Sequence, residues 1–203
     1  MNIKGIAGII GAAVAVIFGL TIFFGSWYTV DQGERGVVLT NGAVSGEAAP
    51  GLHFKVPMVQ SVEYISTQTQ TYTYKDVKVY SKDQQPATLR VSVTLHATSP
   101  SAIYTAYKSL DGLVSKELDP KVPTWAENIF GQFNAANAVQ ERADLNNKLA
   151  IALTHVLTGR PFVIESVQIE NIDFSGKYES AVEARMEATV KQQQATAEAI
   201  ATK

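Results

Sequence analysis

The chain has 203 residues, 17 basic against 19 acidic, for a net charge of −2. No basic stripe and no arginine-interleaved aromatic run marks a nucleic-acid surface. Cysteine is absent, which excludes disulfides, thiolate-bound zinc and a cysteine nucleophile.

Residues 5–30 carry no charged side chain, and their first part is almost wholly Gly, Ala, Val, Ile, Leu and Phe. At 1.5 Å per residue, residues 5–24 cover about 30 Å, the hydrocarbon thickness of a bilayer, so the pattern predicts an N-terminal transmembrane anchor over residues 1–28. A cleavable signal peptide fits less well: the apolar run is longer than the usual 7 to 15 residues or so, and no A-x-A-like site follows. Trp27 and Tyr28 are placed as interfacial anchors, and Lys4 favours an N terminus on the cytoplasmic side. Gly11, Ala15 and Gly19, four apart, form a small-residue stripe of the kind common in membrane helices.

Beyond the anchor the period becomes two. Residues 88–97 alternate Leu89, Val91, Val93, Leu95 and Ala97 with polar partners, which predicts a half-buried antiparallel strand. Further strands are expected over residues 36–40, 62–68 and 71–80, punctuated at Asn41-Gly42, Pro50-Gly51 and Lys82-Asp83. Leu52, Phe54, Val56 and Met58 form an apolar ridge near the anchor. Ser99-Pro100 is placed as N-cap and N1 of a helical region that runs to about Thr158. In it, Trp125, Ile129, Phe130 and Phe133 form one core stripe, and Leu145, Leu149, Leu153 and Val156 belong to another. A strand returns over residues 162–172, with a slip of alternation near residues 165–167. Ser175 then caps a last helix without Gly or Pro from residue 177 on. Ala181, Ala184, Ala188, Ala195 and Ala199 make a coiled-coil-like seam along it, interrupted by Lys191 and Gln192. The absence of a closing cap suggests a longer parent chain.

No G-x-S-x-G, H-E-x-x-H or Walker A pattern occurs. His53, His96 and His155 stand far apart and are read as structural residues, and Asp111, Glu117 and Asp119 among Lys116 and Lys121 as an ordinary charged surface. No catalytic, cofactor-binding or metal-binding residue is assigned, and no cofactor is expected.

Several segments, in order, carry a resemblance. They are Val30-Asp31-Gln32-Gly33-Glu34-Arg35-Gly36, Pro50-Gly51-Leu52-His53-Phe54, Ser81-Lys82-Asp83-Gln84, Gln140-Glu141-Arg142 and Ile169-Glu170-Asn171-Ile172-Asp173-Phe174. The sequence resembles the SPFH or band 7 family of stomatins, prohibitins, flotillins and the bacterial HflK and HflC proteins, and within it the prohibitin and HflC type. The resemblance implies an α+β fold with an anchor, an SPFH domain over residues 29–174 and the start of a long projecting helix over residues 175–203. It further implies a non-enzymatic scaffold of many homo- or hetero-oligomeric copies, forming a ring or cage on a lipid bilayer around a membrane-bound AAA protease. The setting implied is the bacterial inner membrane, periplasmic side, or the mitochondrial inner membrane, intermembrane-space side. In the family the ridge region lies against the membrane. A membrane-tethered hydrolase or protease subunit with a non-local active site is the alternative.

Overall fold

The computed structural model describes residues 3–201, and side chains over residues 11–197. The chain divides into two compact units, the first formed by Met1–Gln70, Leu95–Lys116 and Gly159–Val163, the second by Thr71–Thr94, Glu117–Thr158 and Ile164–Lys203.

The first unit begins with helix α1, Ile3–Gly25. Among the described residues no helix is long and apolar enough to cross a membrane. The described side chains of α1 start at residue 11, and residues 11–25 cover about 22 Å, short of the ~30 Å of hydrocarbon. The anchor expected over residues 1–28 therefore rests on positions whose side chains lie outside the described residues. The helix stops at Gly25, and Trp27 and Tyr28 open strand β1, Trp27–Val30. That strand pairs antiparallel with β4, Gly51–Phe54, from Trp27↔Phe54 to Val30↔Gly51.

Between them, Gly33 at φ +88° closes the turn into β2, Glu34–Thr40, where an added Cβ would run into the Gln68 side chain. Asn41 and Gly42, both at positive φ, form the two-residue loop to β3, Ala43–Ala48, as a primed hairpin turn requires. Strand β2 is central, antiparallel to β3 on one side and to β5, Gln60–Ser66, on the other, with a register shift at Val38/Leu39. Val37, Leu39, Ala48 and Ile65 are buried. Helix α2, Pro100–Tyr107, starts where Ser99-Pro100 places it, but the Ser99 side chain makes no cap bond. Glu47 does that work, its Oε1 accepting from the Ser101 N–H at 2.8 Å. Helix α3, Leu110–Leu113, follows and continues into a π-helical turn, Val114–Leu118.

The second unit is built on the three-stranded sheet β6-β7-β8, with β6 Gln70–Tyr80, β7 Pro86–Ala97 and β8 Phe162–Phe174. The hydroxyls of Thr71 and Thr94 meet at 2.9 Å and those of Thr73 and Ser92 at 3.0 Å, an order that makes β6 and β7 antiparallel. Ser92 also donates to Glu170 on β8, so a polar ladder crosses the sheet. The burial alternation of β8 changes phase between Ser166 and Val167, inside the stretch where the sequence slips. Helices α4, Lys121–Phe130, α5, Ala135–Gln140, and α6, Arg142–Val156, bury Ala126, Phe130, Ala138, Leu145, Leu149 and Leu153. Trp125 and Val156 of the expected stripes are only partly covered. Helix α7, Gly176–Ala201, ends the chain, and the Tyr178 N–H lies 3.4 Å from Ser175 Oγ at its start. The expected α+β fold with antiparallel sheet and packed helices is found, its strands divided among the described residues into three sheets.

Candidate functional site

Two exposed apolar surfaces stand out, one in each unit. In the first, the β1–β4 ribbon puts Trp27, Thr29, Leu52 and Phe54 on one face, because paired residues share a side and alternate residues change it. Trp27 and Phe54 meet edge to face, ring centroids 5.6 Å apart. The opposite face pairs Tyr28 with His53, stacked at 5.4 Å, and His53 Nε2 donates to the Ala49 carbonyl at 2.6 Å. That bond gives His53 a structural role.

The chain leaves β4 through a tight loop. The Lys55 N–H donates to the Ser26 carbonyl at 2.7 Å, and the Val59 and Gln60 N–H groups both reach the Val56 carbonyl, at 3.3 and 2.9 Å. Gln60 Oε1 accepts from the Val56 N–H at 2.8 Å. Held this way, Met58 sits at φ +68°, a left-handed conformation that is strained for a bulky side chain. The ridge residues Leu52, Phe54, Val56 and Met58 are 49 to 88% exposed, and Trp27 and Val59 are exposed beside them. Leu52 and Phe54 stand on a strand; Val56 and Met58 stand on the loop. None of the four is core. The patch lies at the end of α1, since a Cβ on Gly25 would touch the Pro57 ring at 3.8 Å.

In the second unit, α7 lies beside α5 and leaves an open groove of about 660 Å³. Its apolar wall is Val182, Met186 and Val190 of α7, with Ala135 and Val139 of α5 and Phe174 at the head. The Phe174 ring packs on Tyr178 at 4.9 Å and on Phe130 at 6.3 Å, which joins the start of α7 to the core. Beyond that junction the α7 side chains are exposed. The seam alanines Ala181, Ala184, Ala188 and Ala195 are exposed too, and Ala199 lies outside the described side chains. At about 100° per residue the seam is centred about 150° round the helix from Val182 and Met186. Sequence reading found the alanine side by composition and missed the Val/Met side, whose spacing of four was its only local signal.

The family-like polar motifs turn out to be structural. Asp83 Oδ1 accepts from the Ser81 hydroxyl at 2.6 Å and from the Ala135 N–H at 2.9 Å, tying the β6–β7 loop to the start of α5. The Ser81 bond, helped by the Ala135 N–H, holds its carboxyl below the usual range. Arg142 Nε and Nη2 both donate to the Ile169 carbonyl, at 3.0 and 2.6 Å, while Asn146 Oδ1 accepts from the Ile169 N–H at 2.9 Å. The two peptide groups that flank Ile169 of β8 are thus each held, the carbonyl by Arg142 and the N–H by Asn146. Glu117, nearly buried, pairs with Lys121 at 2.5 Å. Tyr74 donates to Asp119 at 2.9 Å, and burial, then that bond and the Asp119 charge, push its hydroxyl well above the ordinary tyrosine value. Tyr74 and Asp83 line different depressions. Among the described residues no group of three or more His, Asp or Glu side chains is placed to hold a metal ion.

The sequence profile of the SPFH domain / Band 7 family matches residues 28–203, and the chain belongs to that family. Its relatives are prohibitin-like and stomatin-like. It is 29% identical over 193 residues to Prohibitin-4, mitochondrial, of Arabidopsis thaliana, covering 91% of this chain and 65% of that protein. It is 26% identical over 210 residues to Prohibitin-2 of Mus musculus, covering 96% and 69%. A stomatin homologue of Pyrococcus horikoshii is 21% identical over 176 residues, covering 87% and 65%. The chain therefore spans just under two thirds of the length of the plant and archaeal relatives.

Proposed function

We propose that the chain is a membrane-anchored, non-enzymatic scaffold. In this reading residues 1–25, α1 included, hold it in a bilayer, and the ridge seats the first unit on the membrane surface. Copies then assemble through their long helices into a ring or cage that confines a patch of membrane. The protein confined is a membrane-bound AAA protease or its substrates, in a bacterial or mitochondrial inner membrane. The observation that carries the reading is the ridge. Six large apolar side chains, Trp27, Leu52, Phe54, Val56, Met58 and Val59, are exposed where the apolar helix α1 ends. Contiguous exposed apolar patches are uncommon on monomers unless they meet a membrane or a partner, and a tryptophan at that level suits the headgroup boundary.

The test uses Trp27 as a reporter. The chain's other tryptophan, Trp125, is changed to Phe, and the full chain is reconstituted in vesicles of lipid brominated at a chosen depth. Bromines near the headgroup end of the acyl chains are expected to quench Trp27 strongly and bromines near the chain ends weakly. Absence of quenching from either depth would remove the ridge from the membrane and leave it for a protein partner.

A further inference from the structure

We infer that the two faces of α7 are the two halves of one contact between copies: the Val182–Met186–Val190 groove of one copy receives the alanine face of the next. The inference rests on the scaffold reading, which sets neighbouring copies on one membrane with their helices parallel.

Three observations carry it. First, the groove is apolar and its wall is exposed, Val182 and Met186 being 37 and 63% exposed and Val139 of α5 56%. Second, from residue 181 to 195 the stripe opposite the groove holds alanines: Ala181, Ala184, Ala188 and Ala195 fall within about 60° of arc, with Lys191 and Gln192 at its borders, so a helix can approach the groove closely there without overpacking. Third, the charges match. Glu179, Glu183 and Glu187 form a row at four-residue spacing along one edge of the groove face, while Lys191 borders the alanine face and Lys177 stands on its line one turn before Ala181. When two parallel α-helices meet groove to alanine face, helical geometry puts the acidic row of one and the two lysines of the other on the same edge of the contact. The lysines fall near the two ends of that row.

The pairing also has a consequence for symmetry. A contact made by two different surfaces of the same chain is heterologous: every copy offers a free groove at one side and a free alanine face at the other. Such contacts generate rings when the rotation closes, whereas a face paired with itself stops at two.

The chain has no cysteine, so engineered cysteines report the contact alone. The full chain is reconstituted in vesicles as Val182→Cys, as Ala184→Cys, as a mixture of the two, and as the double variant, then oxidised mildly and run on a denaturing gel. Each single variant is expected to stay monomeric, the mixture to give dimers and the double variant a ladder. A single variant that cross-links to itself as strongly as the mixture overturns the pairing in favour of like faces. The same samples are sized before oxidation. Large particles without the mixed cross-link overturn the face pairing but spare the scaffold; particles of monomer size overturn both.

Discussion

Asp83 is a solvent-facing carboxylate whose oxygen holds two donors, the Ser81 hydroxyl and the Ala135 N–H. Because those bonds favour the ionised form, its pKa is depressed in the folded chain. The stabilisation is present above the unfolded value of about 3.9 and is lost as pH falls through the folded value. Asp83→Ala is therefore expected to lower stability by about 1 kcal/mol at neutral pH, the cost of a lost cap, with solvent screening keeping it from more. The deficit should shrink as pH falls below about 3.9 and through the lowered folded value, and urea unfolding in detergent at neutral pH and over an acid series checks it. Met58 makes the opposite case. Its left-handed backbone costs about 1 to 2 kcal/mol for a residue with a Cβ, and the side chain is almost wholly exposed. Met58→Gly is expected to leave unfolding within about 1 kcal/mol of the parent, since glycine's gain in the fold is offset by its entropy in the unfolded chain. It should nonetheless weaken headgroup-depth quenching of Trp27; unchanged quenching would take Met58 out of the membrane contact. Residues that act through the adjacent backbone, such as Asn41-Gly42, were legible in the sequence. Met58 was legible only as an apolar side chain, because its strain is imposed by Gln60 and the Val56 carbonyl closing the loop.

At the scale of elements, the long strands and helices followed from period, and the short ones did not. Strands β1 and β4 have four residues each, too few for alternation to register, and β1 was absorbed into the apolar run before it. The Gln140-Glu141-Arg142 motif was visible, but its role was not, since Arg142 acts on Ile169, 27 positions away. With Asn146, that clamp covers the carbonyl and N–H of Ile169 on a strand at the end of its sheet, where both would otherwise stand open. Arg142→Ala is expected to cost about 1.5 to 3 kcal/mol, the range for hydrogen bonds from a charged donor. Arg142→Lys should recover only part of it, because an ammonium does not reproduce the guanidinium's fork. Urea midpoints of the two variants, read against Asn146→Ala, which frees the Ile169 N–H, check the clamp; equal midpoints for Arg142→Lys and the parent would show that charge alone suffices. On α7 the alanine seam was legible because composition marks it. The groove was not, because part of its wall is Ala135 and Val139 of α5, which only the fold of the second unit brings beside Met186.

At the scale of the whole molecule the question is whether function resides in surfaces or in a single reacting group. The hydrolase alternative calls for a pocket in which shifted titratable groups converge. In the second unit Tyr74 and Asp83 are both shifted and lie in separate depressions; partial burial and then the Asp119 bond raise Tyr74, and the Ser81 bond, helped by the Ala135 N–H, lowers Asp83. Tyr74 is the sharper test, since a half-buried hydroxyl bonded to a carboxylate is also how a catalytic acid is arranged. Its raised pKa gives a stabilisation fully present below the unfolded value of about 10 and lost as pH rises through the folded one. Tyr74→Phe keeps the ring and removes the hydroxyl. It is expected to cost about 0.5 to 1.5 kcal/mol at neutral pH, to remove the most alkaline component of the tyrosine absorbance titration, and to flatten the fall of stability above pH 10. Particle size in vesicles and the turnover of a membrane-protease substrate in cells should stay as in the parent, and single apolar replacements of His53, His96 and His155 should behave likewise. Disruption of the α7 contact should do the reverse, changing turnover while each unit stays folded. A Tyr74→Phe chain that assembles normally and loses about 100-fold or more in a measured turnover rate, the usual cost of removing a general acid, would transfer the function from the surfaces to the Tyr74–Asp119 pair.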